Sequence, residues 1–170
     1  KSRRNYASFS FDDGKTWTRP TRTNFPDACS RSNAGRLPDG QVYVINNVLP
    51  IATKQGGRSL LAISLSRDGL NFDRVAALRF VAPPMRFEGR SKVIGYQYPH
   101  SVVVGDDLWA IYSVNKEDIE IARIPVSELE SIGDVFCRAQ DAACLDGHGD
   151  GPPASRGGRN ALRCSTKPAG

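Results

Sequence analysis

Two short turns of similar sequence constrain this chain more than any other feature. SFDDGKTW runs from Ser10 to Trp17, and SRDGLNF runs from Ser66 to Phe72. Each joins two apolar runs of β character, and each reads Ser, Asp, Gly and then an aromatic. In such a turn the carboxylate and hydroxyl satisfy backbone amides and Gly takes a positive φ, while the aromatic is expected to plug the base of the hairpin. The distance from Asp12 to Asp68 suits a repeat of roughly 40 to 50 residues carrying one longer loop.

Around these turns the apolar residues come in short runs: Tyr6 to Phe11, Gln41 to Asn46, Ser59 to Ser66, Phe72 to Phe80, His100 to Val104, Asp107 to Val114 and Asp118 to Val126. Val, Ile, Leu and Tyr dominate them. Tight polar turns such as PDG at 38–40 and GDD at 105–107 join successive runs, which predicts antiparallel meanders. VSELESI (Val126 to Ile132) alone has the pattern of a helical turn. The fold class is therefore all-β. Residues 131–170 are rich in Gly, Ala, Pro and Arg and poor in large apolar groups. Such a stretch buries too little to offset its ordering entropy, so the expected organisation is a β domain over 1–130 and a poorly ordered tail over 131–170.

The net charge is +5. Lys and Arg are scattered singly, without the block or helical stripe that a nucleic-acid groove needs, and they suit a pocket for an acidic small ligand better. No apolar run approaches the ~20 residues of a bilayer span. Cys29, Cys137, Cys144 and Cys164 have no metal-site spacing, and His100 and His148 stand alone, so no metal is expected. A Cys137–Cys144 disulfide is left open. No motif implies a cofactor. The opening KSRRNYASFSF, without Met or signal segment, leads to the expectation that the chain belongs to a longer protein.

The first turn matches the Asp-box pattern S-x-D-x-G-x-T-W at Ser10, Asp12, Gly14, Thr16 and Trp17. The second, one residue shorter, keeps Ser66, Asp68, Gly69 and Phe72. In these residues the chain resembles the sialidases and other BNR-repeat β-propellers. The resemblance implies a partial six-bladed propeller built from four-stranded antiparallel sheets. Each Asp box sits between the third and fourth strands of a blade as turn architecture. That phase makes 5–11 a third strand with a fourth after Trp17. It puts the next blade's strands near 33–37, 41–46, 59–66 and 72–80. Strands near 98–104, 107–114 and 118–126 begin a further blade whose outer strand is not evident. The chain then spans about two to two and a half blades, and the remaining blades of the parent propeller are its implied partner.

In such propellers ligands gather where strand two meets three and where strand four meets the next blade, here at 23–33, 46–58, 81–98 and 114–118. The segment VAPPMRFEGRSKVIGYQY is long, charged and aromatic, and is the most site-like of the four. GGRSLLAISLSRDG (Gly56 to Gly69) resembles the penultimate blade of sialidases. The match gives Arg58 the role of an arginine that clamps the sialic acid carboxylate, a task suited to a guanidinium fork. GYQYPHSVVVGDDLWAIYS (Gly95 to Ser113) resembles their last blade and carries the nucleophile onto Tyr98. A neutral phenol does not repel an anionic sugar, and sialidases stand outside the two-carboxylate scheme. On a regular pleat Tyr96 and His100 share the side of Tyr98. Arg90 and Asn115 are further candidate substrate contacts, and Lys116 and Glu117 read either as more of them or, by preference, as a solvated turn.

The resemblance thus implies exo-cleavage of a terminal sialic acid from an anionic glycan, in a secreted or periplasmic setting. The activating Glu, the first two clamping Arg and the acid Asp are expected on earlier blades. Two other readings stand beside it. One is a non-catalytic propeller that binds glycan or protein. The other is a polysaccharide lyase using Tyr98 and His100 as acid and base.

Overall fold

The computed structural model describes residues 3–49 and 57–132. The expected tail beyond residue 132, with Cys137, Cys144, His148 and Cys164, lies outside the described residues. Nine strands form three antiparallel sheets. The first pairs β1 (Arg4–Ala7) with β2 (Thr21–Pro26). The second is a four-stranded meander of β3 (Asn33–Arg36), β4 (Val42–Asn46), β5 (Leu60–Ser66) and β6 (Arg74–Phe80). The third runs β7 (Tyr96–Val104), β8 (Asp107–Val114), β9 (Asp118–Pro125). A short helix, α1 (Val126–Glu130), closes the described chain. The all-β expectation and the strand phase hold, and the stretch read as a helical turn is helical. No helix among the described residues is long and apolar enough to cross a membrane.

The strand patterns explain the layering. In β8, Leu108, Ala110, Tyr112 and Val114 are buried while Trp109 and Ile111 face outward, the period of two of a sheet with one covered face. In β5 every residue after Leu60 is buried, because this middle strand has cover on both faces. One core unites Leu37, Tyr43, Ile45, Leu61, Ile63 and Leu65 of the second sheet with Tyr96, Leu108, Ala110, Tyr112 and Val114 of the third. The far face of the third sheet carries exposed Val102, Trp109, Ile111 and Ile121. Cross-strand pairing places Trp109 opposite Val102, and Ile111 between His100 and Ile121.

The two Asp boxes act as local cross-links. Asp12 accepts the Thr16 amide at 2.9 Å and the Thr16 hydroxyl at 2.6 Å, while Ser10 Oγ accepts the Gly14 amide at 2.8 Å. Asp68 accepts the amides of Leu70 and Asn71 at 2.8 and 2.7 Å and the Asn71 side-chain amide at 2.7 Å. Asn71 thus replaces the missing Thr in the shorter box. These bonds end β1 at Ala7 rather than Phe11, since Ser8 and Phe9 are already bonded across to Thr18. Trp17 corrects the sequence expectation: it is 63% exposed and donates its indole N–H to the Gly14 carbonyl instead of plugging the hairpin. Phe72 does pack, edge-on against Phe25 with ring centres 5.0 Å apart.

The sheets meet at a buried amide. Asn47, just past β4, is fully buried. Its Nδ2 donates to the carbonyls of Leu60 at 3.1 Å and Tyr96 at 3.0 Å, and its Oδ1 accepts the Ser30 hydroxyl at 2.7 Å. Beside it Gly95 has φ +127°, and a β-carbon there would overlap the Arg58 backbone carbonyl. The Tyr96 amide donates to that same carbonyl at 2.8 Å. Any side chain at 95 would push the third sheet off the second.

Two outcomes follow. Asn47→Ala strands buried carbonyls and should cost about 2–4 kcal/mol, read from urea unfolding of the chain. Asp68 is held well below the ordinary aspartate value of 3.8, chiefly by the Asn71 and Leu70 amides. A depressed folded-state pKa gives stability that is complete above the ordinary value and is lost on acidification below it. Asp68→Asn should therefore melt lower than the parent at neutral pH, with the gap narrowing as pH falls towards about 3.

Candidate functional site

The most strained backbone of the second half of the chain collects at one corner. Val81, Ser91, Tyr98, Asn115 and Lys116 all have φ between +54° and +61°. Asn tolerates this region, and consecutive Asn115 and Lys116 make the tight turn from β8 to β9, closed by the Glu117 amide on the Val114 carbonyl at 2.8 Å. For Tyr98 and Lys116 the same backbone costs on the order of 1–3 kcal/mol each. Strain of this size persists where surrounding contacts over-determine it, as at ligand-binding positions.

Tyr98 sits in a break of the β7 register between Gln97 and His100 and is 45% exposed. Two cations flank its ring, with Lys116 Nζ 5.7 Å and Arg58 Cζ 6.0 Å from the centroid. The Lys116 ammonium is the main cause of a phenol pKa below the ordinary 10, with Arg58 adding to it and partial burial opposing. Arg58 Nη1 donates to Gln97 Oε1 at 2.7 Å, and the fully buried Gln97 in turn donates Nε2 to the Val93 carbonyl at 2.6 Å. Lys116 Nζ donates to the Ser91 carbonyl at 2.7 Å. Among the described residues neither Arg58 nor Lys116 pairs with a carboxylate. The corner presents one accessible phenol between two cations held only by neutral groups.

Of the residues singled out from sequence, Arg58 and Tyr98 are brought together. The register break separates Tyr96 from them, contrary to the regular pleat expected. Tyr96 is buried edge-on against Tyr112, ring centres 5.8 Å apart, and burial pushes its phenol above the ordinary range. His100 stands opposite Ile111, in line with exposed Ile121. Asn115 is buried and its amide is already engaged, accepting the Gly95 N–H at 2.8 Å and donating to the Pro83 carbonyl at 2.9 Å, so it shapes the loop rather than facing a ligand. Arg90 lines an open cavity of about 560 Å³ with Met85, Glu88, Gly89 and Lys92.

The solvated turn expected at Lys116 and Glu117 is corrected in part. Lys116 is exposed, whereas the Glu117 side chain is only 3% exposed and gathers Lys92 Nζ at 2.5 Å and the Phe87 amide at 2.8 Å. Gln97 and Asn47 escaped the sequence reading as parts of this corner. The alternation in YQY offered a signal for Gln97, but it implied a position facing away from Tyr98. Among the described residues no group of three or more His, Cys, Asp or Glu side chains is placed to hold a metal ion.

Residues 1–111 match the family model of the BNR repeat-like domain, a span that includes both Asp boxes, Arg58 and Tyr98. No curated protein and no solved structure matches the chain.

Replacing Lys116 by Met removes the nearer cation. The Tyr98 phenol should then titrate higher, closer to the ordinary 10, in tyrosine-labelled NMR spectra assigned with Tyr98→Phe.

Proposed function

The chain belongs to the BNR repeat-like domain family, and on that premise we propose that it supplies the tyrosine wall of a propeller site that cleaves a terminal acidic sugar. The observation that carries this reading is the accessible Tyr98 phenol between Arg58 and Lys116, two cations without a carboxylate partner among the described residues. An anionic sugar supplies the missing negative charge, and a guanidinium and an ammonium are suited to hold its carboxylate. Positive charge beside the phenol also favours its ionised, nucleophilic form.

In this reading the Tyr98 oxygen attacks the anomeric carbon, the glycosidic bond breaks, and water later releases the sugar from the enzyme. The resemblance to sialidases assigns the group that takes the phenol proton, the leaving-group acid and the other two clamping arginines to blades outside this chain. Those blades also cover the exposed apolar face of the third sheet. The lyase alternative needs His100 as a partner of Tyr98, whereas the hydrolase reading rests on the two cations beside the phenol. A binding-only propeller uses the same two cations but not the phenol's reactivity.

The test is turnover of a fluorogenic sialoside by the full-length protein. Tyr98→Phe should lower kcat by about 100-fold or more, and Arg58→Met should mainly raise KM. Glycan affinity with no turnover in the parent protein would favour the binding-only propeller. Full activity of Tyr98→Phe removes the phenol from the reaction.

A further inference from the structure

Resting on that reading of Tyr98, we propose that Glu117 is a positioning residue: its buried carboxylate fastens the 83–94 loop to the β8–β9 turn and so holds the Lys116 ammonium over the Tyr98 phenol. A carboxylate in a four-residue hairpin turn is ordinarily solvated. Glu117 instead turns inward and is satisfied on every side. It accepts the amides of Arg86 and Phe87 at 3.1 and 2.8 Å and pairs with Lys92 Nζ at 2.5 Å, and Arg86 Nε lies 3.6 Å away. Lys92 Nζ also donates to the Phe87 carbonyl at 2.6 Å, so one lysine closes the loop on itself while bound to the turn.

The neighbouring turn residues extend the clamp. Asn115 holds the loop at Pro83 and at Gly95, and Lys116 holds it at Ser91. Outside the carboxylate, Arg86 Nη2 pairs with Asp118 at 2.6 Å. Three consecutive residues of one turn therefore grip the start, middle and end of the loop that leads directly into Tyr96, Gln97 and Tyr98. Lys116 sits at φ +58°, a conformation that Lys does not hold on its own account. Without Glu117 the turn is free to relax, and the ammonium leaves the ring.

The charged groups that face the Tyr98 ring are Lys116 from the β8–β9 turn and Arg58 from the segment leading into β5. This makes the sign of a titration shift decisive. Neutralising Glu117 removes a negative charge from the vicinity, and by direct Coulomb action that lowers the phenol pKa. Loss of the Lys116 contact raises it. The two accounts of the same substitution therefore predict opposite directions.

The experiment is the NMR titration of ring-labelled tyrosine in the full chain, with the Tyr98 signal assigned by Tyr98→Phe. Glu117 is held down to about 2, chiefly by Lys92, and so stays charged throughout the range. Glu117→Gln is expected to raise the Tyr98 titration towards that of Lys116→Met, and the double variant to shift no further. Glu117→Asp, which keeps the charge but is too short to hold the same partners, should act in the same direction if Glu117→Gln fails to fold. An unchanged or lowered Tyr98 titration in the folded Glu117 variant overturns the proposal. In the full-length protein the clamp variants should lower kcat on the fluorogenic sialoside with the acid-to-base profile displaced alkaline. Should Tyr98→Phe retain full activity, the catalytic reading fails while the titration still decides the role of Glu117.

Discussion

Two sheets and the connection between β2 and β3 converge on the Asn47 side chain, and the placement of everything around Tyr98 depends on that convergence. Its amide reaches β5 through the Leu60 carbonyl and β7 through the Tyr96 carbonyl, and its oxygen takes the Ser30 hydroxyl from the connection that follows β2. Hydrophobic contact between sheets is non-directional and tolerates sliding. A buried amide does not, because each displaced bond leaves an unsatisfied group away from water. Asn47 thus turns a greasy interface into a fixed register. Gly95 lets the Tyr96 backbone come close enough to bond to the Arg58 carbonyl. Arg58 and Tyr98, forty positions apart in sequence, are held together by these two devices and by the Arg58 bond to Gln97.

The repeat made the fold legible. A period of two along β8, the polar turns and the Ser–Asp–Gly signature fixed the sheets to within a residue or two, since local backbone chemistry decides all of these. The first strand was read too long because the alternation of Tyr6 to Phe11 looks β-like, while Ser8 and Phe9 are bonded to Thr18 just past the box. The site was legible only where the resemblance carried a residue over, at Arg58 and Tyr98. The grouping of Tyr96 with Tyr98 assumed an unbroken pleat, and the irregularity between Gln97 and His100 has no local sequence mark. Glu117 was misread for a related reason. A charged residue in a tight turn is solvated unless a distant loop folds over it, and the partners Arg86, Phe87 and Lys92 lie twenty-five to thirty-one positions away.

Strain and burial divide the labour of this corner. Apart from Tyr98 in β7, the described strands contain no left-handed residues. The left-handed positions Val81, Ser91, Tyr98, Asn115 and Lys116 fall in the long loop, in the register break and in the turn facing them. Each is disfavoured alone, so the corner holds its shape only because the Glu117 carboxylate, the Asn115 amide and the Gln97 amide are all fully bonded. A rigid sheet stack supplies the reference frame, and a bonded loop spends part of that stability on an unusual side-chain arrangement.

Charge pairing gives the corner its polarity. Lys92 and Arg86 are matched by Glu117 and Asp118 and lose most of their field to those partners. Arg58 and Lys116 are oriented by an amide oxygen and a carbonyl, which fix direction without cancelling charge. Four basic residues within one loop region thus separate into two that build the site and two that remain available to an anion. The scattered basicity of the sequence gave no hint of this division, because it depends on which carboxylates the fold brings inward. A neutral ligand would leave both available cations without a counter-charge. On the proposed function an anionic one supplies it while meeting the phenol, and selectivity for charge and placement of the reacting oxygen would then come from the same two side chains.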